Sequence, residues 1–413
     1  MKKCILFFVT LILCFLFTGC YAQSEPSDYT HVLAVGVDKG EDGNYIFSFL
    51  APQETGEETL SHTNTLITVS APSFGQAESI ANFYNNRTIN VTHLHLILFS
   101  KEAALDTLEP VIMSFANYQK LRPLISVGIT DGRAADYLKG IDQGVTQPLP
   151  DFLQTFVTNS SRIFAPLESL HKLYAQFESK SYALALPLFI NDTETTGSAV
   201  PSKNPPLQSA ANVSENAVAV SASGEDEKSE VTTPLEFGMV IIKDFKAEAT
   251  LGGIDTLYYN MVTGRLPYTY TNIDAITKNP DFSIFIKKRS DPVIDIDAST
   301  DSPKINITLE FDNYTITGYG AAHKDLDGAL SDAAKVLEAE ITDFLYRTSR
   351  EYNTDIFGFY AKLSPKYKNI DDYAAYDWEI HYPKAEFDVT VKIRSSNVAY
   401  PKKILPDLTK GAH

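Results

Sequence analysis

The chain has 413 residues, too many for one core and enough for two or three domains of ordinary size. Its 44% hydrophobic and 11% aromatic content, with 22 Tyr and 24 Phe, is that of a folded polypeptide and not of a disordered one. A formal net charge of -17 argues against a nucleic-acid partner and means that a membrane contact cannot rest on a basic surface.

The chain opens with Lys2 and Lys3, an apolar run over 5–17, and the small residues Thr18 and Gly19 just before Cys20. This pattern predicts a lipoprotein signal peptide over 1–19, cut so that Cys20 becomes a lipidated N-terminus; Phe17 holds the usual aliphatic position of the lipobox. The competing readings are an ordinary secretory signal and an uncleaved helix, for which the run is short. Cleavage takes the net charge from -17 to -19, because Lys2 and Lys3 are the only charged residues removed. Cys4 and Cys14 leave as well, so Cys20 is the only cysteine left, which excludes disulfides and a cysteine metal site. Two acyl chains at roughly 0.8 kcal/mol per buried methylene suffice for stable anchoring.

After a short polar tether, β-rich runs at 31–38 and 45–50 around a Gly/Asn/Asp loop predict a hairpin, followed by a strand at 65–70. Apolar spacing predicts a helix over 74–86, a buried strand over 93–99, and a helix over 102–118 with Leu105, Leu108, Ile112, Phe115 and Ala116 on one face. A strand at 124–130, a short helix at 133–139 and two helices opening near prolines, at 150–158 and 166–179, complete a mixed α/β first domain over 20–190.

Residues 191–233 contain no aromatic side chain and are rich in Ser, Thr, Ala, Asn, Pro and Glu, the composition of a flexible, low-complexity loop. An apolar strand at 236–245 opens a small middle domain over 234–279. Strands at 282–287, 293–297, 304–311 and 314–319 then predict an antiparallel sheet with one covered face. Its cover is a helix over 327–352, whose stripe Leu330, Ala334, Leu337, Ile341, Phe344, Leu345 and Thr348 faces inward. A short aromatic helix after Asp355 and an alternating strand at 387–394 close a C-terminal α+β domain over 280–400, with a tail over 401–413. The fold class is α+β, with three consecutive mixed domains and largely antiparallel sheets.

Several stretches in order resemble the Ger(x)C spore-germination lipoproteins, the C subunits of nutrient germinant receptors. They are the lipobox cysteine followed by Leu33-Ala-Val-Gly-Val-Asp-Lys39, the strand near 93–99 with Lys101-Glu102, and Phe237-Gly-Met-Val-Ile-Ile-Lys-Asp244. The last and most specific are Asp355-Ile-Phe-Gly-Phe359, Lys366-Tyr367 and Phe387-Asp-Val-Thr-Val-Lys-Ile-Arg394. The resemblance implies three mixed α/β domains in a row and residence on the outer face of the inner spore membrane or cell membrane, through lipid on Cys20. It also implies polytopic A and B subunits as partners and a non-catalytic role required for germination. Nutrient recognition in that family lies mainly with the B subunit, so small-molecule binding by this chain is doubtful.

His93 and His95 could share a strand face as metal ligands, but no carboxylate pair completes a set, and a polar strand face is the plainer reading. Asp295 and Asp297 read as the solvated side of an amphipathic strand more readily than as an acid/base pair. Gly252-Gly253 reads as a turn, not a phosphate cradle. Without a GxSxG or HExxH motif, no catalytic residue, metal or cofactor is assigned. The aromatic cluster Phe357, Phe359, Tyr360, Tyr367, Tyr373, Tyr376 and Trp378 reads either as core or, for Tyr367, Tyr373, Tyr376 and Trp378, as a partner-binding patch. The alternatives to a receptor subunit are a solute-binding lipoprotein of a membrane transporter, which shares the anchor and the acidic body, and a surface hydrolase.

Overall fold

A computed structural model describes residues 28–52, 64–144, 149–151, 153, 166, 168–177, 183–192, 233–266, 268–272, 283–317 and 326–395. Cys20, the signal segment, most of the low-complexity stretch and the tail lie outside the described residues. In chain order the strands are β1 (Tyr29–His31), β2 (Ala34–Lys39), β3 (Tyr45–Pro52), β4 (Asn64–Ala71), β5 (Thr88–Asn90), β6 (Leu96–Ser100), β7 (Ser126–Thr130) and β8 (Leu184–Asp192). They continue as β9 (Thr233–Lys243), β10 (Lys246–Leu251), β11 (Tyr268–Asn272), β12 (Ser283–Lys288), β13 (Val293–Asp297), β14 (Lys304–Thr317) and β15 (Glu386–Ser395).

The first sheet has the order β10-β9-β8-β7-β6-β2-β3-β4. Its flanks are antiparallel hairpins, while β2, β6, β7 and β8 run parallel in the middle. Parallel neighbours need a crossover: the segment carrying the helix Phe74–Tyr84 leads into β6, the helices Lys101–Asp106 and Glu109–Ala116 join β6 to β7, and Ala134–Gly144 follows β7 on the way to β8. Alternation divides the sheet's side chains between two faces. Val35, Val37, Phe47, Phe49, Ile97 and Phe99 meet one group of helices, and Ala34, Leu50, Leu96 and Leu98 meet the helix Ala134–Gly144. The strands from 233 to 251 extend this sheet, whereas the following helix, Gly253–Val262, packs into the second core.

The motif Gly36-Val37-Asp38 explains how that last crossover helix seats. A Cβ on Gly36 would lie 3.0 Å from the Ala134 Cβ and 3.1 Å from the Leu138 Cδ1, so a side chain there would push the helix back by a few tenths of an ångström. Two residues on, the buried Asp38 carboxylate accepts hydrogen bonds from the backbone N–H of Ala134 (2.7 Å) and Ala135 (3.0 Å), satisfying donors at the helix start. Gly36→Val is expected to cost about 1–3 kcal/mol by overpacking, read as a lower urea midpoint with an unchanged slope.

The second sheet has the order β11-β12-β14-β13, with β15 on the other edge of β14. β12 and β13 take successive lengths of one edge of β14, and β15 runs parallel along the opposite edge, from Lys304↔Glu386 to Asn313↔Ser395. The parallel pairing follows from the helix Leu326–Arg350, which carries the chain back between the two strands. In β14, Ile305, Ile307, Leu309 and Phe311 are buried; their register partners Phe387, Val389, Val391 and Ile393 continue the same apolar face. The long helix lays Leu330, Leu337, Ile341, Phe344 and Leu345 on it, as the stripe predicts. It also reaches the free edge of β15, where the Glu338 carboxylate accepts the Val391 N–H at 2.9 Å.

Four local expectations change. The helix expected over 102–118 is two helices, because Pro110 has no N–H to return to the carbonyl four residues back and Leu108 N–H bonds instead to the Phe245 carbonyl at 2.8 Å. Leu105 is consequently 60% exposed. The strand expected from residue 93 begins at Leu96: Asn90 accepts from the backbone N–H of Thr92 (3.0 Å), and this turn takes His93 out of the ladder. The two strands expected over 304–319 are one, since Asp312 and Asn313 stay paired to β12 and β15 instead of turning. Of the two helices expected at 150–158 and 166–179, the first falls mostly outside the described residues. The second is Leu170–Tyr174 continued by a 3-10 turn, Ala175–Phe177.

Candidate functional site: an aromatic corner built on Asp355

After the long helix the chain turns through Thr354 and Asp355 into the short helices Phe359–Leu363, Ile370–Ala375 and Trp378–His381. Gly358 makes the last step of the turn with φ 70°, a left-handed backbone that disfavours any side chain. Asp355 holds the corner. One carboxylate oxygen accepts the Phe357 N–H at 3.1 Å, and the other accepts the Tyr360 N–H at 2.9 Å and the Trp378 indole N–H at 3.0 Å. Burial raises its carboxyl above the ordinary 3.8, against the opposing pull of these donors.

Around that hub the rings form a continuous set. Tyr360 stacks on Tyr373 at 4.5 Å, Tyr376 stacks on His381 at 4.6 Å, and Trp378 stacks on Tyr382 at 5.4 Å. Tyr367 bridges Tyr373 and Tyr376 at 5.8 and 6.2 Å. Tyr382 is fully buried; its hydroxyl meets the Thr348 Oγ1 at 3.1 Å, and because Thr348 donates to the Leu345 carbonyl, the phenol donates to Thr348.

The four residues singled out from the sequence come together here but differ in depth. Trp378 is buried at 2% exposure and serves the hub, while Tyr367, Tyr373 and Tyr376 are half-buried and show their edges to solvent. Beside them Ile370 and Ile380 are 69% and 57% exposed. Burial first, then neighbouring phenols and carboxylates, pushes Tyr373 and Tyr376 up to about 12, so both hydroxyls are neutral at physiological pH. The Tyr376 hydroxyl is buried and has no hydrogen-bond partner among the described residues. The arrangement is an aromatic surface rimmed by two exposed isoleucines and by the exposed carboxylates Asp371, Asp372, Asp377 and Glu379.

A cleft of about 460 Å³ separates the two sheets, lined in part by Glu168, Lys172, Tyr259, Arg265, Asp291 and Phe357. Its buried carboxylate, Glu168, is paired with Arg265 and, at 3.2 Å, with Lys172. On the far side of the helix Gly253–Val262, Asp255 holds Arg347 of the long helix through two bonds of 2.5 and 3.1 Å. These pairs brace the sheets against each other.

The other candidates fall apart in space. His93 is exposed on its turn and packs edge-on against His31 at 5.6 Å, while burial, Arg122 and His93 lower the pKa of His95. Asp295 and Asp297 are exposed on β13; Asp295 pairs with Lys366 at 2.6 Å, and Asp297 accepts the Ser299 N–H at 3.0 Å. Gly252 and Gly253 begin a helix instead of a free turn. Among the described residues no group of three His, Cys, Asp or Glu could hold a metal ion, and no helix is long and apolar enough to cross a membrane. Sequence reasoning passed over Asp38 and Asp355 as individual residues, although both stand inside the motifs that carried the resemblance.

The model of the spore germination protein N-terminal domain matches residues 22–190, and that of the spore germination B3/GerAC-like C-terminal domain matches residues 237–398. Among solved structures, the crystal structure of the GerBC protein aligns with a TM-score of 0.50 at 14% identity, over 88% of this chain and 97% of that one, a likeness of fold. No curated protein matches. With its N-terminal and C-terminal parts matched in order over most of its length, the chain belongs to the Ger(x)C family of spore germination proteins.

Proposed function

We propose that the chain is a lipid-anchored, non-catalytic subunit of a spore nutrient germinant receptor. Lipid on Cys20 holds it at the outer face of the inner spore membrane or cell membrane, where it assembles with polytopic A and B subunits. Family membership across both parts of the chain carries this reading, and the signal-like segment ending at Cys20 supports the anchor. The contact surface we assign to the partners is the rim of the aromatic corner: Tyr367, Tyr373 and Tyr376 with Ile370 and Ile380, and Trp378 supporting them from below.

The test is co-purification. The tagged chain is expected to bring down A-type and B-type membrane subunits; a chain that purifies alone, and whose deletion leaves nutrient germination intact, removes the reading. The double variant Ile370→Asp/Ile380→Asp is expected to lower partner recovery by about tenfold, since both side chains are exposed and lie outside the hydrophobic core. Unchanged recovery would move the interface elsewhere.

A further inference from the structure

Three of the most exposed large apolar side chains lie at one end of the first sheet: Phe83 (84%), Tyr84 (76%) and Leu124 (78%). The register of the parallel strands defines that end. Ala34 pairs with Leu96 and Leu96 with Ser126, so the segments leading into β2, β6 and β7 emerge together. Phe83 and Tyr84 close the helix Phe74–Tyr84, which feeds the second of these segments, and their rings meet edge-on at 5.5 Å. Leu124 lies just before β7.

The described N-terminus arrives at the same place. β1 pairs in parallel with β5 from Tyr29↔Thr88, and the Asn85 side chain donates to the Thr30 hydroxyl at 2.9 Å and to the Arg87 carbonyl at 2.7 Å. Cys20 is eight residues before Asp28, so their Cα atoms are at most about 29 Å apart. Lipid on Cys20 therefore brings a bilayer within reach of this end. Leu105, also exposed, follows β6 and lies at the opposite end.

We propose that this end of the first sheet is the membrane-facing surface, with Phe83, Tyr84 and Leu124 entering the headgroup region of the bilayer; the proposal rests on the lipid-anchor reading. Three side chains are too few to hold a free protein on a membrane. A tethered one is different, because the anchor makes the contact intramolecular and raises its effective concentration. Tyr84 carries the apolar body and polar tip that favour an interface. Arg87, Lys120 and Arg122 belong to the same end, but Lys120 is paired to Glu78 at 3.4 Å and the chain carries a formal net charge of -17. The contact therefore depends on apolar insertion and not on anionic lipid.

Residues 20–413 contain one thiol, Cys20, so a maleimide lipid couples the chain at that position whether or not a cell acylates it. Phe83→Trp is coupled in this way to phosphatidylcholine vesicles with and without brominated acyl chains, and Leu105→Trp serves as the opposite-end control. Trp378 is buried and gives a constant background. The expected result is a blue shift for Phe83→Trp and an emission about twofold lower in brominated vesicles, with no loss for Leu105→Trp. Equal quenching of both variants, or none, overturns the proposal. A blue shift without quenching assigns the surface to a second copy and overturns it too. Loss of the anchor reading would appear separately, as unchanged membrane fractionation of Cys20→Ala in cells.

Discussion

Asp355→Ala is expected to destabilise the protein by about 3–5 kcal/mol, at the upper end of what a single substitution does. The variant leaves the Phe357 N–H, the Tyr360 N–H and the Trp378 indole N–H without their acceptor in a buried corner, each worth about 1–3 kcal/mol when unsatisfied. Urea unfolding reads the loss directly, and loss of near-ultraviolet signal from Trp378 ties it to this corner. Asp355→Asn is expected to fall between the two, because its amide keeps one acceptor oxygen and turns a second donor toward existing donors. A midpoint like that of the native chain for Asp355→Ala would mean that the rings hold the corner without the hub.

The pH dependence has a definite sign. The folded-state value of Asp355 is raised above 3.8, so the native state holds the proton more tightly than the unfolded chain does. That contribution is complete below pH 3.8 and is lost as pH rises through the folded value. Asp38, raised for the same reason of burial, adds a contribution of the same sign. The deficit of Asp355→Asn relative to the native chain should therefore narrow as pH rises from 3.8 through the folded value of Asp355.

Cys20→Ala is expected to leave the sheets folded while moving the chain from the membrane to the soluble fraction. Nutrient germination should fall with it, by about tenfold or more, since two acyl chains at roughly 0.8 kcal/mol per methylene have no counterpart elsewhere in the acidic chain. Fractionation with immunoblotting and a germination assay check the two halves of the prediction. Retention of the variant at the membrane would make contacts with partner subunits the true anchor.

Sequence periodicity reaches the elements that bury one face. The stripe from Leu330 to Thr348 and the alternation of Ile294 and Ile296 against Asp295 and Asp297 are legible because each element carries its own pattern of burial. The aromatic corner is legible as a cluster, but the division of labour within it is not. Trp378 and Tyr376 are two residues apart, yet one is buried at the hub and the other half-exposed at the rim, a difference set by Asp355 twenty-three residues away from Trp378.

What the sequence determined by itself is the elements with a clear one-sided pattern of burial, the acidic body, the single cysteine left after residues 1–19, and the motifs that carry the family resemblance. Tertiary structure decided what those motifs are for. Asp38 caps a helix ninety-six residues further along, and Gly36 makes room for it. The parallel pairing of β14 with β15 and the gathering of Phe83, Tyr84 and Leu124 around the arriving N-terminus were likewise settled only in three dimensions. The reason is physical: periodicity records which side of an element faces away from water, whereas a cap, a close approach or a shared surface depends on a partner brought in by the fold.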